Sequence, residues 1–218
     1  MAIYLCHEQP NLYEHEADVI DARPGAVVFS RSAFHPGGGG QVSDIGEIDW
    51  SGGSAAVTRI EVEGDRWWHI LADDAATPTG TVRVRVDADH RLRVASLHTL
   101  SHVLNAFVFS EFAGALVTGA QINGDGTGRM DFDLPDVDND RLRALATPIN
   151  DIVASGVDVR AFYVDAAEAA ANEGLVRSMS VAPPPTPDGL LRVIDIEGLD
   201  RFAGGGTTQA YTAQSRPI

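Results

Sequence analysis

The chain has 218 residues, 44% hydrophobic and 22% charged, enough apolar material for one large or two small globular domains and incompatible with a disordered or fibrous polypeptide. Its 16 basic and 31 acidic residues leave a net charge of -15, and every basic residue is an arginine. The absence of lysine excludes a Schiff-base lysine, a P-loop and a kinase-type lysine, and the acidity disfavours strong non-specific binding to nucleic acid.

The N-terminal MAIYLCHEQPNLYEHEA has neither a basic nor an apolar leader region, and no later window approaches the roughly 20 apolar residues of a membrane span. Cys6 is the only cysteine, so no internal disulfide and no CxxC metal clip can form, which suits a reducing cytoplasm. Residues 1–87 read as short β-rich pieces separated by turns: AVVFSRSAF, a glycine loop, GEIDW, AAVTRIEVE, RWWHIL and TVRVRVD. In the last of these Val82, Val84 and Val86 alternate with Arg83 and Arg85, the period of a half-buried strand. The period changes at DADHRLRVASLHTLSHVLNAFVFSEF, where Leu97, Leu100, Leu104, Phe107 and Val108 form a helical stripe behind an Asp87 or Asp89 cap. A domain boundary is therefore expected between residues 87 and 88.

Beyond that helix, GALVTGAQI and GRMDFDL predict a strand pair, and a helix from about Asp140 to Ser155 is expected to kink at Pro148 and stop at Gly156. Next come a strand DVRAFYV, an alanine-rich helix AAEAAANEG, a polyproline-like loop APPPTPDG, a strand LLRVIDI and a glycine-rich tail. Strands mixed with helices without strict alternation predict an α+β layer.

His98 and His102 are one helical turn apart and point the same way, as two metal ligands or a substrate clamp require. They lie nearly opposite the leucine stripe, with Asn105 beside them, and Val94 to Ser110 contains no charged residue. A semi-enclosed polar pocket is the preferred reading over a satisfied core histidine or a solvated face. Gly37–Gly40 and Gln41 join two strands, either as a loop that lets a ligand approach the backbone or as a flexible hairpin. Gly204, Gly205, Gly206, Thr207 and Thr208 form a second such loop, the alternative being a disordered tail. Asp136, Asp138 and Asp140 lack the glycine and glutamate of a calcium loop and read as helix capping.

Three ordered segments resemble the editing proteins related to the alanyl-tRNA synthetase editing domain, the stand-alone AlaX-type hydrolases. SAFHPGGGGQVSDIGEI resembles the family's TxFYPEGGGQxxDxG, RLRVASLHTLSHVLNA its RRxxMxxHTATHLL helix, and IEGLDRFAGGGTTQAYT its closing PGxDxxxCGGTHVxxT. The resemblance implies an α+β protein: an N-terminal β-barrel-like domain with the GGGQ loop (1–87), then a two-layer α/β editing domain with HxxxH and GGGTT (88–218). It also implies hydrolysis of the ester joining a wrong amino acid, serine or glycine, to tRNA(Ala). The family's zinc site uses both histidines of HxxxH with the cysteine and histidine of CGGTH. Here His98 and His102 match, while Gly204 and Thr208 stand at the other two positions. Zinc is therefore less expected than in the family, with His35, which replaces a tyrosine, as the best-placed substitute ligand.

On this reading His98 or His102 orients the attacking water or accepts its proton. Ser32, His35, Gly39, Gly40, Gln41, Asp200, Gly205, Gly206 and Thr207 are the substrate-side residues. Arg83, Arg85, Arg91 and Arg93 form the densest basic cluster and are the expected tRNA contact. The competing reading is a catalytically degenerate module that recognises an amino acid, a nucleotide or a protein.

Overall fold

The structure is a computed structural model that describes residues 3–134, 136, 138–170, 175 and 189–215. The chain divides into two units, Met1–Gly38 with Val42–Arg93, and Gly39–Gln41 with Val94–Ile218.

In the first unit, β1 (Ile3–Tyr4), α1 (Leu5–Glu8), β2 (Glu14–Arg23), β3 (Ala26–Phe29), β4 (Arg31–Ser32), β5 (Gly46–Trp50), β6 (Gly53–Glu63), β7 (Arg66–Leu71) and β8 (Thr81–Val86) follow in order. Six of these strands close a barrel in the order β2-β3-β7-β6-β5-β8, while β1 pairs in parallel with β4. Closure leaves no open edge among the six and gives the apolar alternation an inside. Val82, Val84 and Val86 are buried with Val27, Phe29, Phe34, Ile48 and Val57, and Arg83 and Arg85 point outward. β2, which the strand pattern did not reveal, buries only Ala17 fully.

The helix α2 (Ala88–Glu111) is capped by Asp87, whose carboxylate accepts the His90 N–H at 2.8 Å. After it come β9 (Val117–Ile122), β10 (Gly128–Phe132), α3 (Asn139–Ala144), α4 (Ala146–Ser155), β11 (Val159–Asp165), α5 (Ala166–Ala170), β12 (Leu190–Ile196) and β13 (Asp200–Ala203). β9 and β10 form a hairpin, and β11-β12-β13 an antiparallel sheet. Leu100, Val103 and Val108 of α2 pack with Ile149 and Val153 of α4 and with Val159, Ile194, Ile196 and Phe202 of the sheet, a helix layer on a sheet layer.

Two expectations need correction. The helix expected over 140–155 is two helices meeting at Leu145, with Pro148 in the first turn of α4. A proline ring clashes with the carbonyl four residues back, here that of Ala144, the last residue of α3. The leucine stripe of α2 is also only part of its buried surface: Leu100 and Val108 are buried, and Leu104 and Phe107 pack against the same core. Val94, Ala95, His98, Thr99, Val103 and Ala106 are buried, whereas Leu97 and Leu104 are half-buried and line a cavity of about 140 Å³ with Ile122, Met130 and Ile149.

Asp138 caps α3 by accepting the Asp140 and Arg141 N–H groups at 3.0 Å, and Gly156 ends α4 with φ 64°. The polyproline-like loop and the end of the alanine-rich helix lie outside the described residues. Among the described residues no helix is long and apolar enough to cross a membrane.

Candidate functional site

The second unit brings HxxxH, part of the GGGQ loop and the GGGTT loop into one place. His98 is 3% exposed, and its ring meets that of His102 edge-on with centroids 4.6 Å apart. The His102 ring also stacks on that of Phe202 of β13, with centroids 3.9 Å apart. Burial first, then the nearby His98 and the Arg192 guanidinium, holds His102 well below the ordinary imidazole pKa, so it is neutral near pH 7. Its Nε2 is buried with no hydrogen-bond partner among the described residues.

Gln41 and Thr207, 166 positions apart, make a two-bond clamp: the Gln41 amide donates to Thr207 Oγ1 at 3.0 Å, and the Thr207 N–H donates to Gln41 Oε1 at 3.0 Å. Glycine is required where the two loops reach the histidines. A Cβ on Gly206 would stand 2.2 Å from His98 Cε1 and 2.5 Å from Gln41 Oε1, and one on Gly204 would stand 3.2 Å from His102 Nε2. Gly37 to Gly40 all have positive φ, and a Cβ on Gly40 would lie 2.8 Å from that of Ala120. Four such residues in succession make a built turn rather than a loose hairpin. The Gly40 carbonyl then accepts the Ile122 N–H at 2.7 Å, and Gln41 bridges in parallel to Ile122.

The GGGTT segment is likewise ordered. Gln209 N–H donates to Thr99 Oγ1 on α2 at 3.0 Å, while the Ser215 hydroxyl donates to Gln209 Oε1 at 2.7 Å. Sequence reasoning missed Arg192, whose Nη1 donates to the Gly204 and Gly206 carbonyls, each at 2.9 Å. Its signal was an arginine inside the apolar run LLRVIDI.

Ser32 and His35 belong to the first unit. His69 donates from Nδ1 to the Val27 carbonyl at 3.1 Å and accepts the Ser32 hydroxyl on Nε2 at 2.8 Å, while Ser32 Oγ accepts the Phe34 N–H. His35 Nδ1 accepts the Gly37 N–H at 3.1 Å. Asp200 opens β13, its carboxylate accepting the Arg201 N–H, and Gly205 and Thr208 are half-buried in the loop.

The expected basic patch needs correction at Arg91. That side chain is 2% exposed, bonded through Nε to Asp44 at 2.9 Å and through Nη2 to the Ala33 carbonyl at 2.6 Å, so it holds the barrel rather than facing a ligand. Arg83 is exposed and paired with Glu14, and Arg85 is paired with Glu47 and Asp49.

The fold and motif set define the class: a β-barrel unit followed by an α/β unit whose HxxxH helix faces two glycine loops. No family model matches the chain. It is 31% identical over 201 residues to the alanyl-tRNA editing protein AlaX-M of Methanosarcina acetivorans, covering 88% of this chain and 80% of that one. Identity to the AlaX-M protein of Saccharolobus solfataricus is 29% over 196 residues, with the same coverage. The alanine–tRNA ligase of Korarchaeum cryptofilum is 30% identical over 215 residues, 98% of this chain. The chain spans about a quarter of the length of that ligase. The chain belongs to the AlaX-M family of alanyl-tRNA editing proteins.

A zinc ion would need at least three protein ligands in such a site. Among the described residues no three of histidine, cysteine, aspartate and glutamate converge, and Gly204 and Thr208 supply no imidazole or thiolate. The residues present do not fit the metal.

Proposed function

We propose that this chain hydrolyses mischarged aminoacyl-tRNA, with seryl- or glycyl-tRNA(Ala) as substrate, and does so without zinc. The observation that supports this most is the enclosure of His98 and His102 by the Gln41–Thr207 clamp and the Gly204–Gly206 backbone, in a family whose members are named for alanyl-tRNA editing. Water attacks the ester carbonyl while His98 or His102, as a neutral imidazole, takes its proton and then returns it to the terminal ribose oxygen, which leaves as the hydroxyl as the C–O ester bond breaks. The glycine backbone beside His98 supplies N–H donors for the oxyanion, a task suited to groups with no side chain in the way. Gln41, Thr207, Gly39, Gly40, Gly205 and Gly206 form the substrate side, and Ser32, His35 and Asp200 are further candidates by motif position alone.

The tRNA contact rests on Arg83, Arg85 and Arg93. The missing thiolate and imidazole at Gly204 and Thr208 favour a second reading, a degenerate binding module. A deacylation panel over seryl-, glycyl- and alanyl-tRNA(Ala) separates the two: release of serine or glycine supports the hydrolase, and binding without release supports the module.

A further inference from the structure

We infer that Arg192 is the positioning residue of the site: one guanidinium nitrogen fixes two peptide planes of the glycine loop, and through them the Gln41–Thr207 clamp. The inference rests on the hydrolase reading for its kinetic consequence, though not for its structural one. Arg192 is 8% exposed, in β12. The β12–β13 ladder ends at Val193 opposite Ala203, so Arg192 stands opposite the first residue of the loop. Its own carbonyl accepts the Gly204 N–H at 3.1 Å, and its Nη1 donates to the carbonyls of Gly204 and Gly206 at 2.9 Å each. Backbone and side chain of one residue therefore grip both ends of the glycine triplet.

Three successive glycines have no side chains to select a conformation, and a peptide plane between glycines rotates at little steric cost. A trans peptide carries its C=O and N–H on opposite sides. With the Gly206 carbonyl turned to Arg192, the Thr207 N–H is turned the other way, where it meets Gln41 Oε1 at 3.0 Å. With the Gly204 carbonyl turned the same way, the Gly205 N–H also faces away from Arg192. The guanidinium thus sets the direction in which the loop presents its donors, and does so with charged hydrogen bonds to neutral carbonyls. Without it, either plane can flip and present a carbonyl oxygen where an N–H is needed.

The experiment compares Arg192→Met and Arg192→Lys with the natural chain in steady-state deacylation of seryl-tRNA(Ala), and records the Gly205, Gly206 and Thr207 amide resonances by NMR. Arg192→Met is expected to lower kcat by roughly 100-fold with KM unchanged, the scale of loss when reacting groups are misplaced by about 1 Å. The Thr207 amide should shift and exchange faster with solvent. Arg192→Lys, with a shorter reach, should fall between the two, and guanidinium ion added to Arg192→Ala should restore part of kcat. Wild-type kcat and an unmoved Thr207 amide in Arg192→Met would overturn the inference, as would a loss explained wholly by the unfolded fraction. If Arg192→Met does not fold, the lysine variant decides the matter on the same two readouts. If the natural chain releases no amino acid, the hydrolase reading fails, and the amide shifts alone decide the positioning role.

Discussion

At His98 and His102 chemistry and packing meet in the same side chains. His98 is buried and His102 meets both the His98 and the Phe202 rings, so alanine at either position removes packing as well as a proton acceptor. Each substitution is expected to cost roughly 1–3 kcal/mol of stability, read from denaturant melts. Each should also lower deacylation by about 10²–10⁴-fold, the contribution of a positioned general base. The motif made the pair legible, but its surroundings were not: the leucine stripe marked one buried side of the helix, and the side carrying Ala95, His98 and Thr99 is covered as well. Gly206→Ala tests the close approach directly. Its methyl has no room beside His98, and a loss of about 1–3 kcal/mol together with activity is expected. His69 supplies a pH dependence. Complete burial lowers its pKa to about 3 from 6.5, with the Val27 carbonyl opposing the shift. The unfolded chain therefore binds a proton that the folded chain refuses, and stability present above pH 6.5 is lost as pH falls toward 3. Unfolding at pH 5 should be roughly 2 kcal/mol easier than at pH 7 from this group alone, and His69→Gln should lack that part of the slope.

Elements differ in how openly the sequence announces them. β8 reads directly, because Val82, Val84 and Val86 alternate with arginines across a wall with one wet face. β2 does not, since a ten-residue barrel strand with only Ala17 fully buried has too little apolar alternation to separate it from a polar loop. β12 was legible as a strand, but the meaning of Arg192 within it depended on a loop 12 residues away in sequence. The same limit hid the Asp44–Arg91 pair, whose partners are 47 positions apart. Because both charges are buried, Arg91→Met should leave an uncompensated carboxylate and cost about 3–5 kcal/mol, whereas replacing both residues with apolar ones of similar volume should cost much less. Chemical denaturation of the two variants checks this. Equal losses in the two variants would contradict an uncompensated buried carboxylate as the cause.

For the whole molecule, a net charge of -15 sets the terms of any tRNA encounter. Arg83 and Arg85 are exposed enough to reach phosphate only by leaving Glu14, Glu47 and Asp49, so affinity should be low and salt-sensitive. Reversing both charges should reduce the slope of log affinity against log salt by roughly 2 if each contacts one phosphate of duplex RNA. An unchanged slope would remove these arginines from the interface. Everything proposed for the site depends on the AlaX-M fold hydrolysing aminoacyl esters here with imidazole, amide and backbone groups and no metal. Deacylation of seryl-tRNA(Ala) by untagged protein, with and without chelator and alongside the zinc content of the same sample, decides this. Serine release that chelation does not change, from protein holding substoichiometric zinc, is the expected result. One zinc per chain, with activity lost on its removal, would contradict it.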